Sequence, residues 1–506
     1  MKPSFLMKLI ILILFVISLS GCKQTESFEE TESQVIIELQ PTATLVAEVD
    51  QTEIDATTPT TIPDIMNDEL TFSIDEFSVA VEITHSGFEN VDFELLQSLG
   101  VKFIRFNGMV WSEIQPTEDV FIWEGMLKNE EFFRKANQYG MTVIPVVRGT
   151  PVWAQKVYGY YCGAILDEKL DSFGRFMSEL VNRYKTEEYN IHYWEIWNEP
   201  DVQPEFVKNT SQYGCWGDGN DPYYGGGNYA NMLKVISPII KESDNNAKIL
   251  IGGLLLDCDP VNVGEPGSCQ SGKDMPPKFL EGILLNGGGD YFDIVSYHGY
   301  TSDGSFDYAP WVLEESFPNW FARGGVVMGK FNFILEILTN YGLEKEVFLT
   351  ETGYLCLEKN PGCNNDLPTF YERQAQYGVW LLVRNWIEGI NQSFWYSYNG
   401  PGWREGGILD REQQPKPVYS AIQVLNQRMH GAQTAQKLSD LPEGLQGYAI
   451  NFEDHTTWVV ISADDEPHIL DLSDFSFSAY DIYNKEIGSQ DGVIEIFNPI
   501  YIEIIQ

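Results

Sequence analysis

Basic residues are scarce in this chain: 32 Lys and Arg stand against 74 Asp and Glu in 506 residues, a formal charge of −42. Gripping a nucleic-acid backbone needs clustered cations that displace counterions, so this imbalance excludes a nucleic-acid partner. Acidity favours a soluble surface and names no substrate. A phosphate-cradling glycine loop is missing as well. The glycine runs 225–227 and 287–289 lack the accompanying Lys and Ser/Thr and read as loop turns. No CxxC pair with a neighbouring His has the spacing of a zinc site. Asp218, Asn220 and Asp221 sit in a Gly-rich stretch without the closing Glu of an EF-hand, which reads as a loop rather than a calcium site. No metal and no cofactor are expected.

The apolar stretch 9–19 falls short of the roughly 20 residues that span a bilayer. With Lys2 and Lys8 ahead of it, it reads as a secretory signal. The signal ends in Leu19-Ser20-Gly21-Cys22, which resembles a bacterial lipobox. That resemblance implies cleavage before Cys22, lipid attached to its thiol, and an exported protein held to the cell envelope. Setting Cys22 aside leaves Cys162, Cys215, Cys258, Cys269, Cys356 and Cys363, an even set that suggests disulfides in an exported chain. Cys258 with Cys269 and Cys356 with Cys363 are the easiest pairs to close, with Cys162 and Cys215 left over; the connectivity itself stays open.

What is present is enough apolar material for a large interior, at 43% hydrophobic and 13% aromatic residues, over a length that suits two or three folded units. Residues 1–21 are the signal, and 22–67, rich in Thr, Glu, Pro and Ser, read as a flexible tether. From about residue 68 to 430, eight short apolar runs (77–83, 103–106, 142–147, 193–197, 249–253, 292–297, 347–350 and 393–396) alternate with amphipathic stretches. Such alternation implies a parallel sheet, and eight units predict a closed (β/α)8 barrel. Residues 431–506 switch to alternating runs parted by Asp, Gly, Pro and Asn, the mark of a small antiparallel β domain that packs on the barrel and could borrow a strand from before Phe77.

Two glutamates stand where strands run out: Glu199 in WEIWNEPD (194–201) and Glu351 in VFLTETGY (347–354). Following the fourth and seventh runs, they belong at the same end of the barrel. A carboxylate pair about 5 to 5.5 Å apart suits glycoside cleavage with retention, one acid protonating the leaving oxygen while the other attacks.

The motifs TPVWA (150–154), WNEPD (197–201), SYHGY (296–300), TETG (350–353), PKPVY (415–419) and NPIYIEI (498–504) give this chain a resemblance to clan A of the glycoside hydrolases, and within it to family 39 and relatives. The resemblance runs from about 77 to 505. It implies Glu199 as acid/base, Glu351 as nucleophile, and Asn198 bonded to a sugar 2-hydroxyl. Arg105, at the end of the second run, is placed among the substrate-binding groups and could keep Glu351 ionised. His298 and Tyr300 are expected to orient the nucleophile, and Trp395, Trp153 and Trp111 to offer faces for sugar rings.

Arg148 departs from the small or His residue expected there; with Arg404 it suits an acidic sugar or an ordinary ion pair. The leading expectation is a retaining β-glycoside hydrolase acting on oligo- or polysaccharide, a xyloside or glucoside among the options. A silent carbohydrate-binding surface lipoprotein and a transglycosidase are the alternatives. Oligomeric state is left open.

Overall fold

A computed structural model of the chain describes residues 72–73, 76–85, 87–260, 269, 275–303, 305–357 and 361–505. The expected signal, Cys22 and the tether lie outside them. Among the described residues no helix is long and apolar enough to cross a membrane.

A short strand β1 (Phe72–Ser73) precedes eight parallel strands: β2 (Val79–Ile83), β3 (Val101–Val110), β4 (Thr142–Arg148), β5 (Tyr193–Asn198), β6 (Lys248–Gly253), β7 (Ile294–Asp303), β8 (Glu346–Cys356) and β9 (Gln392–Trp395). They pair in sequence order and β9 returns to β2, closing the barrel. Helices pack outside it. Leu170–Tyr184 shows why: Phe173, Phe176, Met177, Leu180, Val181 and Tyr184 recur every three or four residues and are buried on one face. Helix Phe93–Leu99 is capped by the Asp92 carboxylate, which accepts from the Glu94 and Leu95 amides, and ends at Gly100, whose φ of 87° suits glycine.

The barrel interior is filled rather than open. Ala80, Ile144, Leu250, Ile294, Phe348 and Phe394 form a buried apolar plug with Phe103 and Tyr193 against it. Strand side chains alternate, so residues two further on face the same interior one layer nearer the mouth. From Ala80, Phe103 and Tyr193 that step leads to Glu82, Arg105 and Glu195, all buried. Strands β7 and β8 are longer than their apolar runs and stay paired as far as Asp303 and Cys356. Their polar residues interrupt the apolar pattern, which is why hydropathy ended them early.

Eight further strands follow: β10 (Thr434–Lys437), β11 (Leu445–Asn451), β12 (Thr456–Ser462), β13 (His468–Asp471), β14 (Ser476–Tyr480), β15 (Glu486–Ile487), β16 (Val493–Ile496) and β17 (Ile500–Ile505). A sheet in the order β1-β10-β11-β12-β17-β14-β15 takes in the strand ahead of the barrel, and β13 pairs with β16. Both faces of this sheet are covered. Tyr448, Ile450, Val459, Ile461 and Tyr501 join the barrel's core, whereas Ala449, Trp458, Val460 and Ile502 pack with Leu470, Ile494 and Ile496 on the other side. Trp311 donates its indole N–H to the Ser462 carbonyl at 2.8 Å, tying barrel to sheet. Disulfides join Cys162–Cys215, Cys258–Cys269 and Cys356–Cys363.

The plug is expected to carry stability. Phe348→Ala, at a site 3% exposed, should lower the unfolding free energy by about 3–5 kcal/mol in guanidinium titration. A loss under about 1 kcal/mol would show that the interior is not packed as described.

Candidate active site

The layer above the plug centres on Arg105, fully buried on β3. Its guanidinium donates Nε and Nη2 to the Glu195 carboxylate at 2.8 and 3.0 Å, Nη1 to Glu351 Oε1 at 2.5 Å, and Nη2 to Asn198 Oδ1 at 2.6 Å. Nη1 also donates to Glu82. One cation thus faces three carboxylates in a dry setting. Burial pushes Glu82 well above the usual carboxylate range against the pull of Arg105, with Glu351 and Glu195 adding to the rise. Burial opposes the charge on Arg105, but Glu195, Glu82 and Glu351 outweigh it and hold its pKa well above the ordinary value. The sequence placed Arg105 among the groups touching sugar, and that is corrected here. Its donors are spent on protein and it has no exposed surface, so it acts on substrate only through the carboxylates it holds.

Glu351 lies within β8, and its second oxygen accepts from the Tyr300 hydroxyl at 2.5 Å. Glu199 follows β5 at a strained turn, with φ of 77° at Trp197 and 47° at Glu199. Left-handed conformations at non-glycine residues persist where surrounding structure enforces them, often at functional sites. Here the Glu199 amide donates to the Gly253 carbonyl at 3.0 Å, and the Asp201 carboxylate accepts from the Leu255 and Leu256 amides, both at 2.9 Å. These bonds pin the loop after β5 to the one after β6.

His298 sits between the two glutamates, with Nδ1 2.9 Å from Glu199 Oε1 and 3.5 Å from Glu351 Oε2. One donor atom from each of the three lies within 4.8 Å of the others. Such a triad could meet a metal by number of ligands. Its atoms are already engaged with one another, and the Arg105 cation rests against one of them.

The two carboxyls differ in kind. Burial raises Glu199 to about 7, with Arg105 opposing. Burial lowers His298 to about 4, so the imidazole between them is neutral near pH 7. Glu351 instead rests on a guanidinium at one oxygen and a phenol at the other.

Asn198 gives its oxygen to Arg105, and its amide nitrogen makes no hydrogen bond to described residues. That nitrogen is left for a ligand hydroxyl. Tyr297, on the other face of β7, is buried with its hydroxyl on the Val327 carbonyl. Trp395 and Trp111 are fully buried and present no face to a sugar, a second correction. Trp395 donates its indole N–H to the Gly406 carbonyl at 2.8 Å. Trp153 is half-buried, set edge-on against Trp111.

Trp403, missed in the sequence because loops carry no period, is 46% exposed and stands edge-on to Tyr300 at 5.7 Å. Tyr396 packs against Tyr300 from another side. Glu82 and Glu195 were missed too, although a charged residue inside an apolar strand run was the available signal.

No family model matches the sequence, and no curated protein matches it. Solved structures do. A family 39 glycoside hydrolase from Bacteroides cellulosilyticus WH2 matches with a TM-score of 0.58 at 17% identity, over 85% of this chain and 81% of that one. A family 30 subfamily 8 xylanase from Clostridium acetobutylicum matches at 0.53 and 11%, over 86% and 97%. An alpha-L-arabinofuranosidase from Thermotoga maritima matches at 0.50 and 15%, over 86% and 97%. At such identities the likeness establishes the fold: a (β/α)8 barrel with a C-terminal β domain.

Removing the central cation should be severe. Arg105→Met strands three buried carboxylates and is expected to cost about 3–5 kcal/mol of stability by chemical denaturation. A variant as stable as the parent would mean that the charged layer is not assembled around Arg105.

Proposed function

We propose that the chain is a retaining glycoside hydrolase that cleaves β-linked oligo- or polysaccharide through a covalent glycosyl-enzyme. The observation that carries this reading is a pair of facing carboxyls, with oxygens no more than 4.8 Å apart, in opposite electrostatic settings. So short a gap leaves no room for an attacking water, which favours double displacement.

In the first step a Glu351 oxygen bonds to the anomeric carbon as the glycosidic C–O bond breaks. The Glu199 proton passes to the leaving oxygen. In the second step Glu199 takes a proton from water, whose oxygen displaces Glu351 and restores the starting configuration. Arg105 and Tyr300 orient the attacking carboxylate, and the Asn198 amide is placed to bond a sugar hydroxyl.

The difference between the two glutamates favours an enzyme over a silent binding lipoprotein, since binding alone needs no proton stored near pH 7. Transfer to another sugar rather than water shares every step except the last acceptor. A xyloside or glucoside suits this reading; neighbours of the fold are named as a xylanase and a bifunctional glucanase-xylanase. The signal pattern, the lipobox-like Cys22 and three disulfides fit an exported, lipid-anchored protein.

Glu351→Ala should abolish turnover of an aryl β-glycoside, and added azide should restore it with an α-glycosyl azide as product, read by NMR. A β-glycosyl azide from that variant would remove Glu351 from its assigned role.

The pH profile supplies a separate check. As the acid, Glu199 works while protonated, so kcat/KM for substrates with a poor leaving group should fall as pH rises through about 7. With a dinitrophenyl leaving group, which needs no proton, Glu199→Ala should keep the bond-breaking step and lose that basic limb. An unchanged limb would assign it to another group.

A further inference from the structure

In an acidic protein an arginine finds a carboxylate easily. Of the eleven arginines in the chain, nine hold a carboxylate oxygen at 3.8 Å or closer. Among the described residues the two exceptions are Arg148 and Arg404, and both stand at the mouth of the barrel.

Arg148 ends β4 and is 2% exposed. Its acceptors are all neutral: the Asn107 side chain, the Asn107 carbonyl at 3.2 Å, Gln212 Oε1 at 2.8 Å and the Tyr161 hydroxyl at a long 3.5 Å. Gln212 stands two residues before Gly214, whose amide donates to the carbonyl of Asn198, the chain neighbour of Glu199, at 3.0 Å. This cation therefore lies on the Glu199 flank. Burial without a counter-ion pulls its pKa below the ordinary arginine value.

Arg404 stands on the Glu351 flank, stacked over Trp403 at 4.6 Å, and the Trp403 ring meets Tyr300. It makes no hydrogen bond to described residues, and its Nε is buried without a partner. Its backbone and that of Glu405 are both left-handed, with φ of 49° and 59°. The Glu405 carboxylate serves Arg411 at 2.6 Å, Tyr371 at 2.8 Å and Lys416 at 3.7 Å, leaving the adjacent Arg404 without it.

We infer that the cleft takes an anionic saccharide, with the planar fork of Arg404 bonding a carboxylate or sulfate on the substrate and Arg148 supplying a second positive charge across the site. A guanidinium matches both anions through paired N–H donors, and it can do so only while no protein carboxylate occupies it. This inference names the substrate class for the hydrolase reading above and rests on it for turnover, though not for binding.

The test compares matched oligosaccharides: uronate-containing against carboxyl-reduced, and sulfated against desulfated. The parent enzyme should favour the charged member of at least one pair by roughly 10- to 100-fold in kcat/KM, and the responding pair tells carboxylate from sulfate. Arg404→Gln should erase the preference, and Arg404→Lys, keeping charge without the fork, should retain part of it. Equal rates on both members of both pairs would overturn the inference, as would equal losses on charged and neutral substrates in Arg404→Gln.

Should Arg404→Gln fail to fold, competitive inhibition of the parent by free glucuronate or glucose 6-sulfate against glucose decides with no variant; three equal inhibition constants would sink it. Calorimetry on Glu351→Ala separates the two readings. Tighter binding of a charged oligosaccharide than of its neutral partner supports this one even if no substrate is ever turned over, and equal binding in both pairs refutes it.

Discussion

A single buried cation organises the mouth of this barrel. Arg105 reaches from β3 to Glu82 on β2, Glu195 and Asn198 on β5, and Glu351 on β8, so one planar fork fixes groups from three other strands. Guanidinium suits the task because its donors point in set directions and its charge survives burial among carboxylates. Lysine would offer a point charge without that plane. Three carboxylates around one cation are in excess, and burial with the neighbouring Glu351 and Glu195 raises Glu82 well above the usual carboxylate range. Arg105 therefore holds Glu351 at a defined angle without being reached by substrate.

From that constraint the difference between the two glutamates follows. Glu351 grows from the middle of a long strand, paired with His298 on β7 just past a break in register, and is bonded at both oxygens. Glu199 stands on a strained turn beyond a strand end, farther from the fork, and touches a histidine that burial keeps neutral. Burial therefore acts on Glu199 with less compensation and stores a proton there at about pH 7. Two identical side chains acquire different partners because the backbone delivers them to different surroundings. Tyr300 and His298 belong to the same design, being two residues apart on β7 and so facing the same interior.

Much of this was legible in the chain itself. Eight apolar runs gave the strand count because barrel strands are buried on both faces, and the polar residues at their ends marked the mouth. Counting strands was enough to bring Glu199 and Glu351 to one side. Register was harder to read. Trp395 follows Phe394, which faces the interior, so Trp395 must point outward, where it packs against the helix Leu367–Ile387 near Gly378. The exposed ring is Trp403, on a loop whose course no periodicity encodes. Glu82 and Glu195 were overlooked for the opposite reason: each sits in a strand that looks apolar, and only its spacing from Ala80 or Tyr193 shows that it shares a layer with Arg105.

The loops complete what the strands begin, and the unpaired Arg148 shows how. A buried guanidinium without a carboxylate survives only if neutral acceptors are held where it needs them. Its acceptors come from three places: Asn107 on β3, Tyr161 after β4 and Gln212 after β5. The Cys162–Cys215 disulfide ties the second of these segments to the third and closes a loop with a sequence separation of 53. By loop-closure entropy such a link removes about 4 kcal/mol of freedom from the unfolded chain. Without it, Gln212 and Tyr161 would have to meet Arg148 from two independently moving loops, and an acidic side chain would be the cheaper way to satisfy the charge. The covalent link thus lets the cation stay buried and bonded without a carboxylate in contact, the condition under which it can still respond to an incoming anion.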